Sequence, residues 1–125
     1  MRRFSRIVST TSIIAVAITG LGLASATVSA AGTSKSDIEK GQEIAFSRKK
    51  GNCLACHKIK GGKLPGNIAP PLVAMQQRFP DKAKLRAQIF DSTVASPNSI
   101  MPPFGRHKII SGKEIDLVTE FIYQL

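Results

Sequence analysis

The chain has 125 residues, with 18 Lys+Arg against 8 Asp+Glu, two Cys, two His, three Met and no Trp. That length holds one domain and excludes a large α/β enzyme or a solenoid, and two cysteines exclude a framework of several disulfides. Beyond position 30 only 95 residues remain, and so small a core needs a staple, metal or cofactor to be stable.

Residues 1–30 have the three parts of a secretory signal peptide. Arg2, Arg3 and Arg6 make a positive start, Ile13 to Leu23 is an apolar run broken only by Thr19, Gly20 and Gly22, and Val28-Ser29-Ala30 offers small residues before a cut. Ala24-Ser25-Ala26 fits the same small-residue rule. The apolar run is shorter than the roughly 20 residues that span a bilayer, so removal is expected rather than an uncleaved anchor, and the destination is the periplasm. Setting the three arginines aside leaves 15 basic and 8 acidic residues, a net charge of +7 over residues 31–125. An exported basic protein rarely meets nucleic acid, so an acidic protein partner or a small anion is favoured, against the plain alternative of a solvated basic surface.

Residues 31–35 read as a flexible polar lead. Ser36-Asp37-Ile38-Glu39 has the form of a capping box, with Ser36 as the helix cap. Ile38, Gly41 and Ala45 then share a helical stripe, with Phe46 beside it. Gly41 inside a helix costs about 1 kcal/mol relative to Ala, which is reasonable where another helix crosses closely. Arg48-Lys49-Lys50-Gly51 ends the helix. Residues 58–71 carry three glycines and three prolines, a loop composition. Leu72, Met75 and Phe79 form one face of a short predicted helix, and Leu85 with Ile89 gives the next, restarted at Pro80-Asp81. Residues 91–108 are a second long loop, with Pro97, Pro102, Pro103 and Gly105. Ser111-Gly112-Lys113-Glu114 repeats the capping box, and Ile115, Val118, Ile122 and Leu125 follow at helical spacing. No segment alternates with period two long enough to be a strand. The pattern predicts an all-α domain of about four helices with two long loops, and loops of that length need a common object to pack on.

Cys53-Leu54-Ala55-Cys56-His57 supplies that object. C-x-x-C-H is the spacing of covalent haem attachment: two thiols form thioethers with the two vinyl groups, and the next residue, His57, is held under the iron as proximal ligand. A thioredoxin-like redox pair would need a βαβ surround that is absent here. A closed zinc site would need further ligands, and His107 alone remains. A plain disulfide would close a very small loop and stabilise little. One covalent haem c would therefore complete the small core.

For the opposite axial position the candidates are Met75, Met101 and His107. Met101 is favoured because Pro102-Pro103 stiffens its loop, whereas Met75 lies on an apolar helical stripe where methionine is more often filler. His/Met ligation favours ferrous iron and leaves no position for substrate, so the task is one-electron transfer. His57 needs an acceptor for its second ring nitrogen. Ile68-Ala69-Pro70-Pro71 follows closely and lacks carboxylates, so a backbone carbonyl near Pro70 is the expected partner.

The Cys53-to-His57 motif, the Pro70-Pro71-Leu72 loop, Met101-Pro102 and an aromatic-bearing last helix together resemble class I c-type cytochromes. In that family the first and last helices cross at a small residue, which implies Gly41 against the Phe121-to-Tyr123 region. Gly51 to His57, Gly66 to Leu72, Met101 to Gly105 and Glu114 through Tyr123 further resemble the SoxX family, the monohaem subunits of SoxAX sulfur-oxidation cytochromes. This resemblance spans about residues 37–125. It implies His57 and Met101 as iron ligands and Cys53 and Cys56 as attachment sites. It also implies a heterodimer with a SoxA-type haem protein, which joins thiosulfate to a cysteine of the carrier SoxYZ (an L-cysteine S-thiosulfotransferase). Electrons then pass through this chain to a small cytochrome c. No cysteine is left over for sulfur transfer, so catalysis is expected on the partner. A free-standing periplasmic electron shuttle, with Lys49, Lys50, Lys58, Lys60 and Lys63 around the haem edge, is the alternative reading.

Overall fold

In a computed structural model of the chain, residues 34–125 are described; the expected signal peptide at 1–30 and the start of the polar lead lie outside them. Four helices follow in order: α1 (Lys35–Phe46), α2 (Met75–Arg78), α3 (Lys82–Phe90) and α4 (Gly112–Tyr123), with a 3₁₀ turn at Cys53–Ala55. Among the described residues there is no strand, only an isolated parallel bridge between Ile59 and Leu72. This is the predicted all-α architecture of four helices.

The cap of α1 differs from the sequence expectation. Ser34, not Ser36, is the N-cap, accepting from the Asp37 N–H at 3.1 Å. A Ser two residues upstream competes for the role, and the helix gains half a turn by taking it. At α4 the capping box forms as read: the Ser111 hydroxyl accepts from the Glu114 N–H at 3.2 Å, and the Glu114 carboxylate accepts from the Ser111 N–H at 2.8 Å. Asp81 caps α3 through the Ala83 N–H at 2.9 Å. The short face proposed for Leu72, Met75 and Phe79 is only partly helical. Leu72 is extended in the bridge to Ile59, α2 spans four residues, and Phe79 is its C-cap.

The core forms where α1 and α4 cross. Ile44, Ala45, Ile115, Val118, Phe121 and Ile122 are buried there, joined by Ile59, Leu72, Met75, Leu85, Ile89, Phe104 and Ile110. Gly41 makes the crossing possible, because a Cβ at that position would overlap the Leu117 carbonyl and lie 2.9 Å from Phe121 Cβ. The contact meets Phe121, in the region expected, and extends one turn back along α4 to Leu117. Beside it the Phe46 and Phe121 rings meet edge to face, with centroids 5.7 Å apart and planes at 87°, a favoured quadrupole arrangement. Solvent-exposed pairs then tie the helices together: Lys82 to Glu120 at 2.7 Å and Arg86 to Asp116 at 2.6 Å across α3 and α4, and Lys50 to Glu114 at 2.5 Å. The last joins the chain just before the cysteine motif to the start of α4.

The loop at 66–72 runs alongside the cysteine motif. Gly66, Ala69 and Leu72 donate their N–H groups to the carbonyls of Leu54, Cys56 and Lys58 at 2.7, 3.0 and 2.9 Å. Gly66 permits the approach, since a Cβ there would overlap the Ala55 carbonyl. This pairing places Pro70 beside His57.

Candidate haem site

Asn52, in the left-handed region at φ 47°, turns the chain into the 3₁₀ turn that begins at Cys53; Asn is one of the few side chains that tolerates this region. The His57 N–H donates to the Cys53 carbonyl at 2.9 Å. The motif is thereby wound into a single tight turn that carries Cys53, Cys56 and His57, all half-buried.

His57 Nδ1 lies 2.7 Å from the Pro70 carbonyl oxygen. A carbonyl only accepts, so the proton resides on Nδ1 and the Nε2 lone pair is left free for a metal. Proline suits the acceptor role: it offers a carbonyl, fixes φ, and has no N–H of its own to compete.

An apolar cavity of about 350 Å³ opens beside this turn, with Cys53, His57, Pro70, Leu72, Met75 and Met101 on its wall. A neighbouring cavity of about 360 Å³ shares Gly51, Cys53, His57, Met101 and Phe104 with it and adds Cys56. Each is of the size that holds a cofactor-sized ligand. His57 and Met101, the expected axial pair, thus line the same two cavities, and the expected thioether sites Cys53 and Cys56 both reach the second. Met75 also lines the first cavity, but it is 2 % exposed, sits in the core, and has its sulfur 3.5 Å from the Arg78 guanidinium. His107 is exposed and lines neither cavity.

Neither wall carries a carboxylate; Arg78 is the charged side chain on the first cavity, and Arg48, Lys49 and Lys50 line the second. Desolvation pushes the Cys53 thiol up to about 11, so it stays protonated at neutral pH and is a poor thiolate nucleophile. Among the described residues no three His, Cys, Asp or Glu side chains gather where they could share a metal ion. A plate with two vinyl groups, apolar faces and a central iron fits this donor set: two thiols on one turn, one imidazole with its free nitrogen, the Met101 thioether and apolar walls.

The family model for cytochrome c oxidase, cbb3-type, subunit III matches residues 36–122. The chain belongs to this cytochrome c family. Membership implies covalently bound haem c. The cytochrome is also similar to a solved structure, SoxXA from P. pantotrophus, at 27% sequence identity over 68% of this chain and 78% of that one, with a TM-score of 0.62. The likeness to SoxX seen in the motifs therefore recurs in three dimensions. No curated protein matches the cytochrome.

Sequence reasoning missed three residues of this neighbourhood. Arg78 donates to the Pro71 carbonyl at 2.9 Å and so braces the segment that holds His57. Ser92 and Ser99 hold the Met101 loop, donating to the Met101 carbonyl at 2.9 Å and accepting from its N–H at 3.2 Å. No periodicity marks short polar residues within a loop; the Asp91-Ser92-Thr93 run reads as solvated chain.

Proposed function

We propose that this cytochrome is the electron-transfer subunit of a SoxAX-type thiosulfate-conjugating complex in the periplasm, reached through cleavage of residues 1–30. When bound, one haem c supplies a one-electron carrier. Cys53 and Cys56 would hold it by thioethers, and His57 and Met101 would ligate its iron. The observation that carries the reading is the apolar cavity lined by the His57 imidazole, the Met101 thioether and the motif turn, with no carboxylate on its wall. Such a wall excludes water and provides no general acid or base, so the chain's own residues bind, orient and desolvate. The Pro70 carbonyl fixes the imidazole's tautomer and orientation, and its hydrogen bond makes Nε2 a stronger donor. Two protein ligands leave no seat for a substrate.

The partner follows from the likeness to SoxXA. Joining a thiol to the outer sulfur of thiosulfate forms one sulfur–sulfur bond and releases one proton and two electrons. A single haem stores one electron, so two transfers onward to a small cytochrome c are needed per turnover. Both cysteines of this chain are committed to the haem, which leaves the sulfur chemistry to a SoxA-type subunit. Contact with SoxYZ would then be transient.

Affinity purification of the tagged full chain from a thiosulfate-grown host tests this. A second, larger haem protein should co-purify in equal amount, and thiosulfate with its carrier should reduce the haem of this chain. A monomeric cytochrome that thiosulfate oxidation does not require would instead support a free-standing shuttle.

A further inference from the structure

Three consecutive residues at the end of α3 grip the loop that carries Met101. The Phe90 carbonyl accepts from the Gly105 N–H at 2.9 Å. The Asp91 carboxylate pairs with Arg106 at 3.2 Å. The Ser92 hydroxyl donates to the Met101 carbonyl at 2.9 Å. Gly105 sits so close that a Cβ would overlap the Phe90 ring. Asp91 and Ser92 are buried, at 8 % and 0 % exposure, and polar groups at that depth persist only when hydrogen-bonded. The other oxygen of Asp91 accepts from the Thr93 N–H and hydroxyl at 3.0 and 2.5 Å, which fixes the carboxylate that holds Arg106. Ser99 accepts from the Met101 N–H at 3.2 Å. Both backbone groups of Met101 are therefore held by serine hydroxyls.

We infer that Phe90-Asp91-Ser92, with Ser99 and Arg106, is a latch that keeps the Met101 thioether on the cavity wall. It is a positioning device that touches the loop's backbone and not the iron. The inference rests on Met101 being an iron ligand. Detaching the sulfur requires the 101–106 loop to swing out, and each latch bond must break for it to do so. An external ligand such as imidazole binds only the detached state, so its apparent affinity rises with the fraction detached. A typical net hydrogen bond corresponds to about a fivefold change in that fraction. The Asp91–Arg106 pair contributes less, because Arg106 is half exposed and screened by water.

The test is a titration of the ferric, haem-loaded full chain with imidazole, followed by loss of the weak iron–sulfur band at the red end of the spectrum. Ser92→Ala is expected to tighten imidazole about fivefold, Arg106→Gln about twofold, and the double variant more than either. Thr119→Ala removes a buried hydrogen bond that lies wholly within α4 and should leave the affinity unchanged. If Thr119→Ala tightens imidazole as much as Ser92→Ala, the effect is general loosening and the latch is overturned. If Met101→Ala abolishes the band while Ser92→Ala and Arg106→Gln titrate like the parent, the ligand stands and the latch falls. If Met101→Ala itself keeps the band and the parent affinity, the ligand assignment has failed and takes the latch with it. Should Ser92→Ala yield no holoprotein, Ser99→Ala breaks the other bond to Met101, and an unchanged imidazole affinity there overturns the latch equally.

Discussion

Replacing Gly41 with alanine probes the α1–α4 crossing with a single methyl group. In an isolated helix the change would stabilise by about 1 kcal/mol, because glycine carries the larger conformational entropy penalty. Here the methyl would overlap the Leu117 carbonyl and press on Phe121 Cβ at 2.9 Å. A main-chain carbonyl cannot rotate away as a side chain does, so the helices must separate. Overpacking costs about 1–3 kcal/mol and more where backbone is involved. Separation also loosens the edge-to-face contact of Phe46 with Phe121, worth about 0.5–1.5 kcal/mol. Subtracting the propensity gain leaves a net loss of about 2 kcal/mol. For a domain of this size that lowers the melting temperature by roughly 8–16 °C. Thermal melting of the holoprotein by far-UV circular dichroism reads it directly. Glycine's flexibility would explain the position better than close packing if Gly41→Ala melted at or above the parent temperature.

Three further outcomes are expected. Met101→Ala should lose the iron–sulfur band while Met75→Leu keeps it, because Met75 is a buried core residue with its sulfur against Arg78; the reverse result would move the ligand to Met75. Hydrogen bonds from Lys50, then from the Ser111 backbone and hydroxyl, hold the Glu114 carboxyl at about 2, below its ordinary 4.5. A carboxyl depressed on folding adds stability above the unfolded value, and that stability drains away as pH falls from about 5 towards 2. Screened by water it amounts to about 1 kcal/mol, so Glu114→Gln should melt a few degrees lower at pH 7 and show a flatter acid limb; an identical acid limb would contradict the role of the pair. Phe104→Ala should destabilise by about 3–5 kcal/mol, since the ring is 6 % exposed and lines both cavities; urea unfolding of the holoprotein measures it.

The parts of this fold that were legible in the sequence carry a local chemical signature. The Cys53-to-His57 spacing is dictated by two vinyl groups and an iron, and nothing nearby competes with it. The α4 capping box needs only Ser111 and Glu114 three apart, and it forms as written. Pro70 was approachable from composition, because a stretch without carboxylates leaves a carbonyl as the acceptor. The misread features are those decided by tertiary contact. Ser34 and Ser36 offer the same hydroxyl chemistry, and the choice between them turns on half a turn of helix. Leu72 leaves the expected helical face because Lys58 and Ile59 draw it into an extended pairing. The hold of Ser92 and Ser99 on Met101 joins residues of a loop through single hydrogen bonds, and no repeat in the sequence encodes such a pattern.

The central claim is a haem bonded to both cysteines of one short turn. Trypsin cleaves after Lys50 and Lys58 and so releases Gly51–Lys58 with Cys53, Cys56 and His57 together. After periplasmic expression with haem-maturation machinery, mass spectrometry of that peptide should show the added mass of one haem, and neither thiol should accept an alkylating reagent. A peptide of unmodified mass, with both thiols open to alkylation, would contradict the account.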